Sequence, residues 1–471
     1  MHLFCACPID DNPACFLVQG ASDQRRKHTN FLALTPLVGR IIGGVGKATL
    51  HPQASAQSVE SQAARPRLSA RSTFAALSYP NYRLWYFGQM ISLFGTWMQS
   101  TAQGYLVYEL TRSPAFLGYV GFAAGLPSWL FMLYAGVIAD RMPRRKLLLI
   151  TQTMMMALAF VLAGLTFSGL VRPWHIVVLA FCLGMANAFD APGRQAFVTE
   201  LVERKDLTNA IALNSTMFNA ATAVGPAVGG LIYAGLGPAW CFSINAVTFL
   251  AVIGALSLMK LKPIQPAASR KSTLEDIRLG FRYVASQRVV RTVILHLLVV
   301  SIFGISFVTL VPAWAVDILG GNAATNGYLQ SARGVGALSG ALMLAATSAF
   351  LSRGKLLSAG SFVFPVLLLV FSTLRVLPLT LLALLGIGWG FMVTANASNA
   401  LVQSQVPDEL RGRVMSIYML SFFGCMPIGA LLAGSAAAAI GAPLTIRLGA
   451  LVLLLTAGLV WWRVPELRRA E

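Results

Sequence analysis

Charge is scarce in this sequence. Asp, Glu, Lys and Arg together make up 11% of its 471 residues, against about 25% in a soluble globular domain. That shortfall excludes an ordinary soluble fold. The 56% apolar content and the mean hydropathy of +0.68 point instead to a membrane protein. Acids are scarcer still, 17 against 36 basic residues, for a net charge of +19. Nucleic-acid binders are also basic, but they gather charge on a soluble face. Here it sits in short gaps between apolar runs, which reads as topology charge facing the cytoplasm, so no nucleic-acid partner is expected. Cysteines number six. Cys182, Cys241 and Cys425 lie inside apolar runs, where cysteine acts as a small hydrophobe. Cys5, Cys7 and Cys15 lack the close ligand pairs of a metal site. No metal or cofactor is expected, and with no nucleophile–base pair the chain does not read as an enzyme. "GGVGKAT" falls short of a phosphate loop, which needs Gly at 41 and Ser or Thr at 48 where Ile41 and Ala48 stand.

Long apolar runs dominate from residue 84 onward. A helix needs about 20 residues to cross the hydrocarbon. Twelve runs meet that length, near 84–108, 114–139, 146–168, 173–193, 208–235, 238–259, 292–316, 325–349, 355–374, 377–401, 412–436 and 443–463. The expected fold is an all-α integral membrane protein with twelve transmembrane helices in two six-helix bundles. The bundles occupy 79–259 and 292–463, joined by a central cytoplasmic linker at 260–291, with a short cytoplasmic tail at 464–471. The linker contains an amphipathic stretch with Leu274, Ile277, Phe281 and Val284 on one face. Residues 1–78 are Ser-, Ala-, Gln- and Arg-rich and do not form a standard secretory signal. They read as a disordered cytoplasmic tail, or as the product of a start codon set too far upstream.

Basic residues fix the expected orientation. Arg141, Arg144, Arg145, Lys146, Arg194, Arg204, Lys205, Arg353, Lys355, Arg411 and Arg413 fall in even-numbered loops, whereas odd-numbered loops hold only Arg112, Arg172 and Arg375. Even loops are then inside, with both termini cytoplasmic, as in a multi-pass protein of the bacterial inner membrane. The chain also repeats itself. Residues 119–147 align with 328–356 at an offset of 209, pairing Tyr119, Gly125, Arg144, Lys146 and Leu147 with Tyr328, Gly334, Arg353, Lys355 and Leu356. "GPAVGG" around Pro226 is echoed by "CMPIGA" around Pro427. Two parallel halves related by an axis along the membrane normal are a transporter architecture, with the substrate near the midplane between them.

These features resemble the major facilitator superfamily. "GVIADRMPRRK" is similar to its signature loop between the second and third spans, with Gly136, Asp140, Arg141, Arg144 and Arg145 matching. "GPAVGG", with Gly225, Pro226, Gly229 and Gly230, resembles the end of its exporter motif, although Ala212 and Ala221 stand where that motif has glycine. "LVYELTRSPAFLGYVGF", "DAPGRQAFVTELV" and "NAIALNSTMFN" resemble the branch of enterobactin exporters and transmembrane secretion effectors. The resemblance implies proton-coupled efflux by alternating access, a charged loop that stabilises the outward-open state, and a fifth span that bends. The residues themselves show only that those glycines permit close packing.

Two candidate sites follow. At the inner end, Asn187, Asp190 and Arg194 share one face of the fourth span. Asp140, an arginine of the loop, Asp190 and Arg194 are expected to latch the inner side shut; the alternative is topology charge alone. Within the membrane, Gln89, Ser92, Thr96, Gln99 and Gln103 are spaced 3, 4, 3 and 4 apart in a single polar stripe. Lipid penalises each of them. The stripe therefore lines a cavity or bonds to a neighbouring helix. Asn187, Asn214, Asn396 and Asn399 are further cavity candidates, and Trp97 and Trp389 offer rings for stacking. No acid lies at the centre of a span, so Asp190 is the best proton carrier. The expected function is secondary-active, proton-coupled efflux of a small organic molecule (a siderophore, drug or macrolide-like compound) by a monomer. A sensor or scaffold of the same fold that does not transport, or an importer, is the alternative.

Overall fold

The computed structural model describes residues 74–261, 274–347 and 352–469. Most of the expected tail at 1–78, and residues 262–273 of the expected linker, lie outside the described residues. Among the described residues there are twelve long helical segments: α1 Pro80–Thr111, α2 Pro114–Arg141, α3 Arg144–Phe167, α4 Pro173–Leu201, α5 Leu207–Leu236, α6 Pro238–Leu258, α7 Arg288–Ile318, α8 Ala323–Thr347, α9 Arg353–Phe371, α10 Leu377–Gln405, α11 Asp408–Ile440 and α12 Ala442–Arg463. No strand occurs among the described residues. Ten of the segments are long and apolar enough to cross a membrane. The other two, α1 and α8, fall short in apolarity because they turn polar side chains inward. Gln89, Ser92, Gln99 and Gln103 of α1 are buried, as are Asn326, Gln330, Ser331 and Arg333 of α8. At 32 residues, α1 spans about 48 Å, more than the hydrocarbon requires.

Local sequence sets the helix ends. Proline stands in the first turn of α1, α2, α4, α6, α10 and α12, where the missing N–H has no helical acceptor to lose. Gly237 closes α5 at φ 94° and Gly441 closes α11 at φ 81°. A side chain is strained in that left-handed region, and glycine is not. The same device thus ends the fifth helix of each half. Between the halves lies an amphipathic helix, Leu274–Ser286. Its Val284 is buried against the second half, whereas Phe281 is 51% exposed. The expected single apolar face is therefore split.

The halves meet through α2 against α11 and α5 against α8. Gly118 abuts Gly434, and Gly230 abuts Gly327. Without a hydrophobic drive between helices in lipid, such close backbone approach is what holds them. Gly118 and Gly327 are 209 residues apart, the offset of the sequence repeat. The two contacts are therefore equivalents under the pseudo-two-fold axis. Three π-helical turns interrupt the second half, Val300–Gly304 and Trp314–Ile318 in α7 and Leu420–Gly424 in α11. Ser301 Oγ donates to the Phe422 carbonyl at 2.5 Å, tying two of these turns together.

The end of the bundle carrying the α2–α3 loop is termed the charged end, and the opposite end the distal end. Their cores differ. At the charged end each half has its own cluster, Trp85, Leu148, Phe197 and Leu256 in one and Val293, Leu357, Leu401 and Val414 in the other. At the distal end one cluster holds Tyr105, Tyr108 and Tyr233 of the first half with Ala313 and Ala323 of the second.

Candidate functional site

A cavity of about 460 Å³ lies between the halves. All five stripe residues of α1 line it: Gln89, Ser92, Thr96, Gln99 and Gln103. Asn187, Asp190 and Arg194 line it from α4, Gln152 from α3, Asn245 from α6 and Gln330 from α8. Apolar wall is supplied by Leu93, Trp97, Phe218, Phe249, Val308 and Pro312. The stripe also bonds within the bundle, since Asn245 Nδ2 donates to Gln99 Oε1 at 2.7 Å. Lining and interhelical bonding thus coexist on one helix. Gln89 Oε1 and Gln152 Oε1 are buried without a hydrogen-bond partner among the described residues. An unsatisfied buried acceptor costs about 1–3 kcal/mol, and both residues line the cavity.

Asn214, Asn396 and Asn399 are not among the lining residues. They lie in the charged-end halves of α5 and α10, where the two bundles have separate cores, and Asn214 and Asn399 find local partners. Tyr82 Oη donates to Asn214 Oδ1 at 3.4 Å, and Gln403 Nε2 to Asn399 Oδ1 at 2.6 Å. Trp97 lines the cavity, and Trp389 does not.

At the charged end the described members of the expected network fall into two groups. Asp190 is 1% exposed. Its Oδ1 accepts from Thr151 Oγ1 at 2.8 Å and Gln152 Nε2 at 2.9 Å, and Arg194 Nε stands 3.5 Å from Oδ2. Arg144 turns away from this group to Glu200, 2.5 Å distant, and to the Ala196 carbonyl at 3.1 Å. Arg145 donates to the carbonyls of Ser257 at 2.8 Å and Met259 at 3.3 Å, the usual role of a cation at a helix C-terminus. Arg141 is exposed, and a side-chain carbon added at Gly136 would meet nothing within 4 Å. The side chain of Asp140 lies outside the described residues. The loop is therefore fastened within the first half, to α4 and α6. Thr151, Gln152 and Glu200 were not foreseen from sequence. Glu200 follows Arg194 by six residues, and its pairing depends on the register of α3 against α4.

The distal end is closed by polar contacts as well as by its shared core. Tyr108 Oη donates to Asp317 across the two halves, and Tyr233 Oη donates to Glu109. Asn326 Nδ2 donates to the Thr101 carbonyl at 3.4 Å. In α5, Gly225 packs on Trp97 and Gly229 on Met98, while Gly230 packs on α8. Pro226 sits inside a continuous helix.

Two related halves around a polar cavity, joined at one end and separate at the other, define a transporter of the major facilitator type. Solved structures share the architecture. The nucleoside transporter NupG (D323A mutant) superposes with a TM-score of 0.64 at 14% identity, over 82% of this chain and 99% of that one. A bacterial homolog of the human lysosomal transporter Spinster, inward-facing and unoccupied, gives 0.59 at 13% identity, over 85% and 98%. At such identities the likeness concerns the fold. In sequence, the model of the transmembrane secretion effector family matches residues 71–471, and the chain belongs to that family. Similar proteins include the staphyloferrin A transporter of Staphylococcus aureus, 28% identical over 74% of this chain and 87% of its own length. The multidrug efflux pump Tap of Mycolicibacterium fortuitum is 28% identical over 78% and 91%, and the enterobactin exporter EntS of Escherichia coli O81 is 25% identical over 83% and 94%.

Proposed function

We propose that this chain is a secondary-active exporter that moves a small organic molecule out of the cell by alternating access, coupled to proton entry. The observation that carries this reading is the cavity itself. It is lined by neutral amides and hydroxyls beside apolar surface, and it reaches Arg194 near the charged end while the distal end is joined. With the charged end cytoplasmic, as its basic residues argue, the cavity loads from inside. The similar proteins, a staphyloferrin A transporter, an enterobactin exporter and a multidrug efflux pump, support siderophores or drug-like compounds as cargo.

Three steps follow. Cargo enters between the separate charged-end cores and bonds to the α1 stripe. The charged end then closes while the distal contacts Tyr108–Asp317 and Gly230–Gly327 part. The cargo leaves, and a proton taken up by Asp190 favours return. Asp190 suits this role because it is buried, lines the cavity and accepts from Gln152, which lines it too. The loop from Gly136 to Arg145 acts as a latch on the closed charged end, with Asp140 contributing in that state. A bias of about 1.4 kcal/mol changes a two-state ratio tenfold, so a few partly buried ion pairs suffice. The protein works as a monomer in the inner membrane.

The test is accumulation of ethidium and of a siderophore panel in a strain stripped of its own exporters, with and without this chain. Lower accumulation that collapses when the proton gradient is dissipated supports the reading. Raised uptake supports an importer, and no change in any compound supports a sensor or scaffold.

A further inference from the structure

We propose that Arg333 is an anion-binding residue and that the cargo carries an acidic group, a carboxylate or its equivalent, which Arg333 holds. The proposal deepens the export reading and rests on it. Arg333 lies in α8 and is 9% exposed. Asn326, Gln330 and Arg333 are spaced four and three apart, on one face of the helix. Gln330 lines the cavity, and Asn326 reaches the Thr101 carbonyl of α1. Arg333 thus continues this face one turn toward the charged end.

Its guanidinium has no partner among the described residues. No acceptor is placed on any of its nitrogens, and Nε is buried and bare. Other ionisable groups of the interior are engaged. Asp190 has Thr151, Gln152 and Arg194, His296 Nε2 faces Ser361 Oγ at 2.9 Å, and Asp317 and Glu109 accept from tyrosines.

The half that holds Arg333 supplies no counter-ion. Residues 292–463 contain three acids, Asp317, Asp408 and Glu409. Asp317 is held by Tyr108 at the distal end, Asp408 pairs with Arg411 at 2.5 Å at the charged end, and Glu409 is exposed beside it. A buried guanidinium without an anion carries a large desolvation cost. Within a membrane bundle such a group marks a functional path. Its planar fork of donors matches a carboxylate in two parallel bonds. A cargo carboxylate would complete the pair, and the neutral amides of α1 would hold the rest of the molecule.

Thermal unfolding of the purified full-length protein tests this, with salicylate and succinate as anions and salicylamide as the neutral counterpart. Both carboxylates should raise Tm, and salicylamide should not. Arg333→Gln should weaken the apparent carboxylate affinity about tenfold or more, and Arg333→Lys should retain part of it. Arg333→Gln should also raise the ligand-free Tm, because it removes an unpaired buried charge; a merely structural arginine would lower it. A carboxylate response that is absent, shared by salicylamide, or unchanged in Arg333→Gln overturns the proposal. The two readings fail separately. Cells that extrude ethidium through a chain whose purified form ignores carboxylates would keep export and lose the anion site. Carboxylate binding lost in Arg333→Gln, in a chain that lowers accumulation of neither ethidium nor carboxyfluorescein, would do the reverse.

Discussion

Substituting Gly327 by alanine should push the protein out of the state described here. A side-chain carbon at this position would lie 2.5 Å from the Pro226 carbonyl oxygen and 3.0 Å from Gly230 Cα. The first distance is 0.9 Å short of ordinary 3.4 Å contact, and the obstacle is backbone, which cannot rotate aside. Helices α5 and α8 must therefore part at the distal end. Overpacking of this kind costs about 1–3 kcal/mol. The cost falls only on the state in which the distal end is joined, because the opposite state separates these helices. At tenfold per about 1.4 kcal/mol, the ratio of states moves by a factor of about 5 to 150. Gln103 lines the cavity and reports the shift as Gln103→Cys, in a background with the native cysteines replaced. Its labelling by a membrane-impermeant maleimide from outside should accelerate by that factor in Gly327→Ala. Gly118→Ala is the graded control. Its added carbon would lie 2.9 Å from the Ala430 carbonyl oxygen, a smaller overlap with a smaller expected effect. Equal labelling in the parent, Gly118→Ala and Gly327→Ala, at equal membrane abundance, would refute the reasoning.

Three further outcomes are expected. Tyr108→Phe removes the donor to Asp317; losing one such bond, worth about 1 kcal/mol, should raise Gln103→Cys labelling about fivefold, and unchanged labelling would show that the contact does not hold the distal end. Asp190→Asn should leave export that no longer responds to an imposed pH gradient, measured in inverted vesicles; a preserved response would place the coupling proton elsewhere. Asp140→Asn should lower efflux without changing the amount of protein in the membrane, and wild-type efflux from that variant would remove the latch.

Much of the architecture could be read directly from the sequence, for a physical reason. Lipid requires long apolar helices whatever the tertiary detail, so the helical segments show in a hydropathy pattern. The repeat offset was also visible, and it is the spacing of the crossed glycines Gly118 and Gly327. The α1 stripe was legible because five polar residues at helical spacing have no bland place in lipid. What stayed hidden depends on the register between helices. Arg144 meets Glu200 rather than Asp190 because α3 and α4 slide to that alignment, and no sequence spacing encodes the slide. Asn245 reaches Gln99 from a helix 146 positions away. Asn396 and Asn399 have the right spacing but belong to the part of α10 where the halves diverge. Phe281 matches an apolar periodicity yet stays exposed, since α11 offers packing to only part of that face.

The most direct test of the account is a distance between the halves at the charged end. Lys146 and Lys355 are exposed, open α3 and α9, and occupy equivalent places in the repeat. Spin labels at Lys146→Cys and Lys355→Cys, with the native cysteines replaced, should give two distance populations in lipid. The shorter one should grow in Gly327→Ala, as the distal end opens and the charged end closes. A single distance, unmoved by that substitution and by a proton gradient, would contradict alternating access by these two halves.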